Sequence, residues 1–220
     1  MAKREGPFRI LALSDQVCDL VYSPAIRTQF GDTDVVIACG DLPFPYLEYV
    51  ATMLPAPVLY VPGNHDRPTY TSDGRTVMYP EGAINIDGRA FTVRLPGREP
   101  LLVVGFGGSM HYGGEANQYT EFEMRRRVAR VEPTLLWNRW IRNHHVDILV
   151  THAPPRGIHD GTDRCHAGFR TFLTFMRRHE PRYHLHGHMH PSYGYDMTPK
   201  RYGRTEVRSV FGCQRLEVSP

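Results

Sequence analysis

Apolar residues in this chain come in short unbroken runs, each closed by a small cluster of polar ones. Phe8–Leu13, Asp34–Cys39 and Pro57–Val61 are such runs. Because they do not alternate with polar residues, they predict strands buried on both faces. Pro24–Phe30 and Pro45–Leu54 read as helices between them. Ala83–Ile86, Ala90–Leu95 and Leu101–Phe106 predict hairpin-forming strands, with Asp87-Gly88 as a turn. The glycine-rich segment 107–120 predicts a loop. Helical character runs from Glu121, is interrupted near Pro133, and resumes to about Asn143. Val146–Val150 predicts a strand and His166–His179 a helix that stops before Pro181. Tyr193–Met197, Glu206–Val210 and Gln214–Val218 predict further strands. The pattern fits an α/β chain folded as a two-sheet β-sandwich flanked by helices.

Composition narrows the class. With 220 residues, 41% of them hydrophobic, the chain predicts one domain spanning 1–220. No apolar stretch reaches the length of a membrane span and no signal peptide is visible, so neither a membrane partner nor export is expected. Cys18, Cys39, Cys165 and Cys213 lack CxxC spacing, which predicts free thiols in a reducing, cytoplasmic setting. The net charge of +3 does not single out a substrate charge, and Lys3 and Lys200 are the only lysines.

The polar clusters carry the chemistry. Ile10-Leu11-Ala12-Leu13 leads to Ser14-Asp15, and Val35-Val36-Ile37-Ala38 to Gly40-Asp41. Val58-Leu59-Tyr60-Val61 leads to Gly63-Asn64-His65-Asp66. Ile148-Leu149-Val150 leads to Thr151-His152, and Tyr183–Leu185 to Gly187-His188-Met189-His190. Asp, Asn and His are oxygen and imidazole ligands for divalent transition metals. Loops at the carboxyl ends of parallel strands gather into one site. His188 and His190, two apart, share one side of an extended segment.

Over roughly residues 8–195 this ordered series resembles the calcineurin-like metallophosphoesterases. The resemblance implies two divalent ions (Mn, Fe, Co, Ni or Zn) bridged by Asp41. Asp15 and His190 would complete the first site; Asn64, His152 and His188 the second. An acidified water held between the ions would attack the phosphorus. It further implies that His65 protonates the leaving alkoxide or stabilises developing charge, with Asp66 holding its ring. One position departs from the pattern: the first motif, usually Asp-x-His, here reads Asp15-Gln16-Val17, and Val does not ligate. Some phosphodiesterases of the superfamily that act on 2′,3′-cyclic nucleotides share this Asp-x-Val motif.

Other polar residues are candidates for substrate contact: His111 on one side, and Arg156, His159 and Arg164 in the loop after Thr151-His152. Each has a plainer reading as loop or core structure. His184 and His186 read as strand histidines with backbone partners. The run Arg125-Arg126-Arg127-Val128-Ala129-Arg130 has Glu121 and Glu123 four residues before Arg125 and Arg127. That spacing predicts a self-paired helix face rather than a nucleic-acid surface. The expected function is hydrolysis of a phosphate ester, a small molecule or nucleotide, with a diester favoured. A phosphomonoesterase is the alternative, and a non-catalytic scaffold of the same fold a more distant one. The sequence leaves the oligomeric state open.

Overall fold

The structure is a computed structural model that describes residues 6–70, 74, 76–114, 116–194 and 196–219. The chain begins with β1 (Phe8–Ser14), α1 (Ile26–Phe30), β2 (Val35–Ala38), α2 (Phe44–Met53) and β3 (Val58–Tyr60). A small ladder of β4 (Thr69–Tyr70) with β5 (Thr76–Val77) follows, then β6 (Ala83–Asn85), β7 (Arg89–Val93) and β8 (Leu101–Phe106). A second small ladder pairs β9 (Ser109–Met110) with β10 (Gln118–Tyr119), ahead of α3 (Glu121–Arg142) and β11 (Ile148–Thr151). The chain closes with α4 (Arg170–His179), β12 (Tyr183–His186), β13 (Lys200–Tyr202), β14 (Thr205–Ser209) and β15 (Gly212–Val218).

These strands form two main sheets, ordered β15-β1-β2-β3-β6 and β13-β14-β12-β11-β8-β7. Only β15 in the first sheet, and the edge strands β7 and β13 in the second, run antiparallel to their neighbours. The period-two geometry of a strand explains the unbroken apolar runs. Phe8, Ile10 and Ala12 of β1 face Leu101, Val103, Ile148 and Val150 in a core between the sheets. Leu11 and Leu13 turn outward, onto the layer of α1 and α2. Leu102, Val104 and Leu149 likewise pack beneath α3 and α4. Both faces of each sheet are therefore covered, as the sandwich expectation requires.

Four expectations are corrected. β6 and β7 do not form a hairpin: β6 extends the first sheet beside β3, while β7 pairs with β8 in the second. Asp87-Gly88 is thus the crossover between sheets, reversing direction with Gly88 at φ 64°. α3 is not interrupted at Pro133, which lies on its solvent side. Buried Met124, Val128, Val131 and Leu135 on both sides of the proline, with a Thr120–Glu123 capping box, offset the loss of one helical bond. Tyr193–Met197 does not open a strand: Pro191–Tyr193 is a 3-10 turn and the strand starts at Lys200, with Tyr195 outside the described residues. Finally, Cys18 is paired with Cys213 across Cα atoms 6.0 Å apart, and Cys39 and Cys165 remain free thiols. None of the described helices is long and apolar enough to cross a membrane.

Candidate metal centre

The polar clusters meet where the carboxyl ends of the two sheets adjoin. Asp15, Asp41 and Asn64 follow β1, β2 and β3; His152 follows β11, and His188 and His190 follow β12. Asp15, Asp41 and His188 adopt left-handed backbone conformations, at φ 62°, 54° and 68°. Such φ values are costly for residues other than glycine and cluster at functional sites. The three glycines of the series, Gly40, Gly63 and Gly187, are required by close approach. A Cβ on Gly63 would lie 2.0 Å from Asp41 Oδ1, and one on Gly187 2.0 Å from Ser14 Oγ.

His152 is fully buried at the centre. Its Nδ1–H donates to the Cys39 carbonyl at 2.8 Å, which turns Nε2 toward Asn64 Oδ1 at 2.9 Å and Asp41 Oδ2 at 3.3 Å. The His188 ring lies 4.8 Å from that of His152, and its Nε2–H donates to the Cys165 carbonyl at 2.8 Å. One ligand atom each of Asp41, His152 and His188 lies within 4.8 Å of the others. On the far side, Asp15 accepts the His188 backbone N–H, and His190 Nε2 stands 3.5 Å from Asp15 Oδ1.

The electrostatics of this arrangement are those of a cation site. Burial disfavours charge on both Asp41 and His152, yet each stabilises the other. Asp41 is held well below the usual carboxylate range, and His152 is pushed up to about 9. Burial, reinforced by the positive charge on His152, pushes His188 down to about 4, leaving a neutral imidazole. A proton on His152 thus stands where a divalent ion would satisfy Asp41 and Asn64 together. The donor set of carboxylate, amide oxygen and imidazole fits such ions. The carbonyl-held N–H groups of His152 and His188 orient each ring toward the centre, as metal-ligating histidines require.

The remaining candidates divide. His65 is exposed at the rim, and its backbone N–H donates to Asp41 Oδ1 at 2.8 Å. Asp66 does not hold the His65 ring. Its Oδ2 accepts the Gly63 N–H at 2.7 Å and the Asp41 N–H at 3.3 Å, closing the turn, and burial with the nearby Asp41 charge pushes its pKa up to about 6. Beside them a cleft of about 400 Å³ is lined by Leu42, Pro43, Phe44, His65, Arg67 and Pro68. His159 is not placed for substrate contact: it is buried, with Nδ1 2.9 Å from His186 Nε2 and Nε2 2.8 Å from the Thr198 carbonyl. Arg156 is exposed and pairs with Asp160 at 3.6 Å. His111 and Arg164 are exposed on loops, and in each case the next residue reaches the centre instead. Tyr112 Oη accepts from Asn64 Nδ2 at 3.1 Å, while ligand atoms of Cys165, His166 and His188 lie within 4.8 Å of one another. His166 Nδ1 is in turn 2.9 Å from Asp163 Oδ2. Tyr112 and Cys165 were not expected, because no local pattern marks contacts made across the fold.

The family model of calcineurin-like phosphoesterases matches residues 8–192. This chain is a calcineurin-like phosphoesterase. As members of that family, such enzymes hydrolyse phosphate esters at a site that generally holds two divalent metals. Solved structures agree on the fold. TT1561 of Thermus thermophilus is 17% identical, with TM-score 0.59, over 97% of this phosphoesterase and 100% of that chain. GAP50, the anchor in the inner membrane complex of Plasmodium, is 10% identical, with TM-score 0.55, over 93% of this phosphoesterase and 71% of that chain. No curated protein matches the phosphoesterase by sequence.

Proposed function

We propose that this phosphoesterase is a phosphodiesterase that uses two divalent ions, held by Asp15, Asp41 and His190 on one side and by Asp41, Asn64, His152 and His188 on the other. Bound there, the ions supply polarisation of the phosphoryl oxygens and an acidified water. The protein's part is orientation and proton handling. Asp41 carries the shared charge, and its carboxylate is fixed by the His65 amide. The Cys39 and Cys165 carbonyls fix the tautomers of His152 and His188. Tyr112 accepts the Asn64 amide N–H, so the Asn64 oxygen faces inward. His65, exposed beside Asp41, donates a proton to the departing alkoxide.

Preference for a diester rests on the adjoining cleft. Its lining joins apolar Leu42, Pro43 and Phe44 to His65, a single arginine, Arg67, and the carboxylates of Asp41 and Asp66. A diester brings one negative charge and two organic arms, which suit a lining with one arginine and an apolar stretch. A monoester dianion calls for more cations than this cleft lines up. The deciding experiment compares bis(p-nitrophenyl) phosphate with p-nitrophenyl phosphate in Mn²⁺. Higher kcat/KM for the diester is expected; a preference for the monoester overturns the assignment.

A further inference from the structure

We propose that the outward face of α3 is a docking surface for an anionic lipid membrane. α3 has two apolar faces. One, with Met124, Val128, Val131 and Leu135, is buried in the core. At 100° per residue the opposite face carries Phe122, Arg126, Pro133, Trp137 and Trp140, flanked by Leu136 and Ile141. Trp140 is 74% exposed, Ile141 63% and Trp137 58%. Tryptophan is rarely so open to solvent, and a contiguous apolar patch of this kind marks a contact surface.

Charge selects the partner. The expected pairing of Arg125 and Arg127 with Glu121 and Glu123 does not form. Glu121 instead accepts the backbone N–H groups of Arg170 and Thr171 at the start of α4, Glu123 caps its own helix, and Arg127 pairs with Asp87. Glu132, the remaining acid on α3, is engaged by Arg178 and His179. Among the described residues, Arg125, Arg126, Arg130, Arg139 and Arg142 therefore have no carboxylate partner. Arg125 and Arg126 lie over Phe122, and Arg139 over Trp140. A cleft of about 630 Å³ at the C-terminal end of α3 mixes Arg94, Arg182 and Arg204 with Glu99, Asp147 and Glu180, and Arg204 pairs with Glu180, so the unpaired charge belongs to the helix itself.

A second copy of this face would set like charges against each other. A nucleic-acid strand would stack on the tryptophans but gain nothing from Leu136 and Ile141, and it favours a groove over a convex ridge. An anionic bilayer surface satisfies both features. The indoles and aliphatic side chains enter the headgroup boundary, while the arginines keep their charge among lipid phosphates and their stems on the apolar surface. This is peripheral attachment and needs no helix long enough to span a membrane.

The chain has two tryptophans, Trp137 and Trp140, both on this face, so its indole fluorescence reports on the patch alone. The test adds vesicles of phosphatidylcholine with phosphatidylglycerol, or of phosphatidylcholine alone, to the intact protein. The expected result is a blue shift and co-sedimentation with the anionic vesicles only, both reversed by high salt. Arg126→Gln combined with Arg130→Gln, the two unpaired arginines on the outward face among the described residues, should weaken partitioning about 30-fold. Trp137→Ser with Trp140→Ser should abolish co-sedimentation while circular dichroism stays unchanged. No shift with anionic vesicles overturns the proposal. So does a shift that appears on concentrating the protein without lipid, which indicates self-association. A shift produced by single-stranded DNA and not by vesicles overturns it too.

Discussion

Asp15 accepts the backbone N–H of His188, a residue 173 positions away, at 2.9 Å to Oδ2 and 3.1 Å to Oδ1. The first motif of one sheet thereby clamps the last motif of the other, with no metal involved. Asp15→Ala should therefore lower the stability of chelator-treated protein by about 2 kcal/mol, as expected for a hydrogen bond to a charged group. Urea unfolding of the metal-free variant measures this. An unchanged midpoint would mean the clamp contributes nothing on its own.

The two halves of the centre are unequal. Val17, where the family usually has histidine, packs in the apolar layer outside the first sheet. An ion held by Asp15 and His190 would have fewer protein ligands than one held by Asn64, His152 and His188. Graded chelation should empty the first position before the second, and Val17→His should narrow the difference. Anomalous scattering from crystals soaked in increasing chelator reads both occupancies. Early loss of the second ion would refute ligand counting.

His65→Ala should cut kcat 10²–10⁴-fold, about the size of a general-acid contribution, for alkyl leaving groups. For nitrophenyl leaving groups, which need little protonation, the loss should be far smaller. Metal content, measured on the same samples, should not change. Equal losses for both leaving groups would remove His65 from the proton-donor role.

His184 sets part of the acid limit of stability. Thr151 Oγ1 donates to the Ala153 carbonyl at 2.6 Å, so His184 Nε2–H must donate to Thr151 Oγ1 at 2.8 Å. Its Nδ1 is left buried without a partner among the described residues. Burial, together with charge on His159, pushes the pKa down to about 3. The unfolded chain, with its histidines near 6.5, binds the proton more readily. The stability contributed by neutral His184 is thus full above about pH 6.5 and is lost as pH falls toward about 3. His184→Phe should flatten the dependence of Tm on pH over that window by about one proton. An unaltered slope would assign the acid limb to other groups.

Within the arginine run of α3, one member differs from its neighbours. Arg127 grips both carboxylate oxygens of Asp87 at 2.5 Å, donates to the Gly107 carbonyl at 3.0 Å and stacks 4.0 Å over Tyr119. Arg127→Met strands a largely buried carboxylate and should cost about 3 kcal/mol, whereas Arg126→Met should be near neutral. Thermal denaturation of the two variants side by side provides the comparison.

The strands and the order of the polar loops were legible because both-face burial writes an unbroken apolar run, and each run ends at a donor. What the runs did not record is partnership. An apolar segment such as Ala83–Ile86 declares that it is buried, not which sheet it joins. His111 and Arg164 drew notice for their chemistry, while Tyr112 and Cys165, one residue further on, make the contacts. His159 read as a candidate substrate contact in its loop, but His186 of β12 engages it instead. The same holds for Glu121, whose acceptor oxygens serve α4 rather than its own helix.

Because Asp15, Asp41 and Asn64 belong to one sheet and His152, His188 and His190 to the other, a newly made chain acquires its donors in two instalments. The first sheet is itself incomplete until β15, roughly 200 residues after β1, pairs with it. A chain caught midway through maturation would thus own half of the proposed constellation, too little to hold the metals or act on an ester. Catalytic competence arrives together with the docking of the sheets, so turnover can serve as a clock for the final stage of folding.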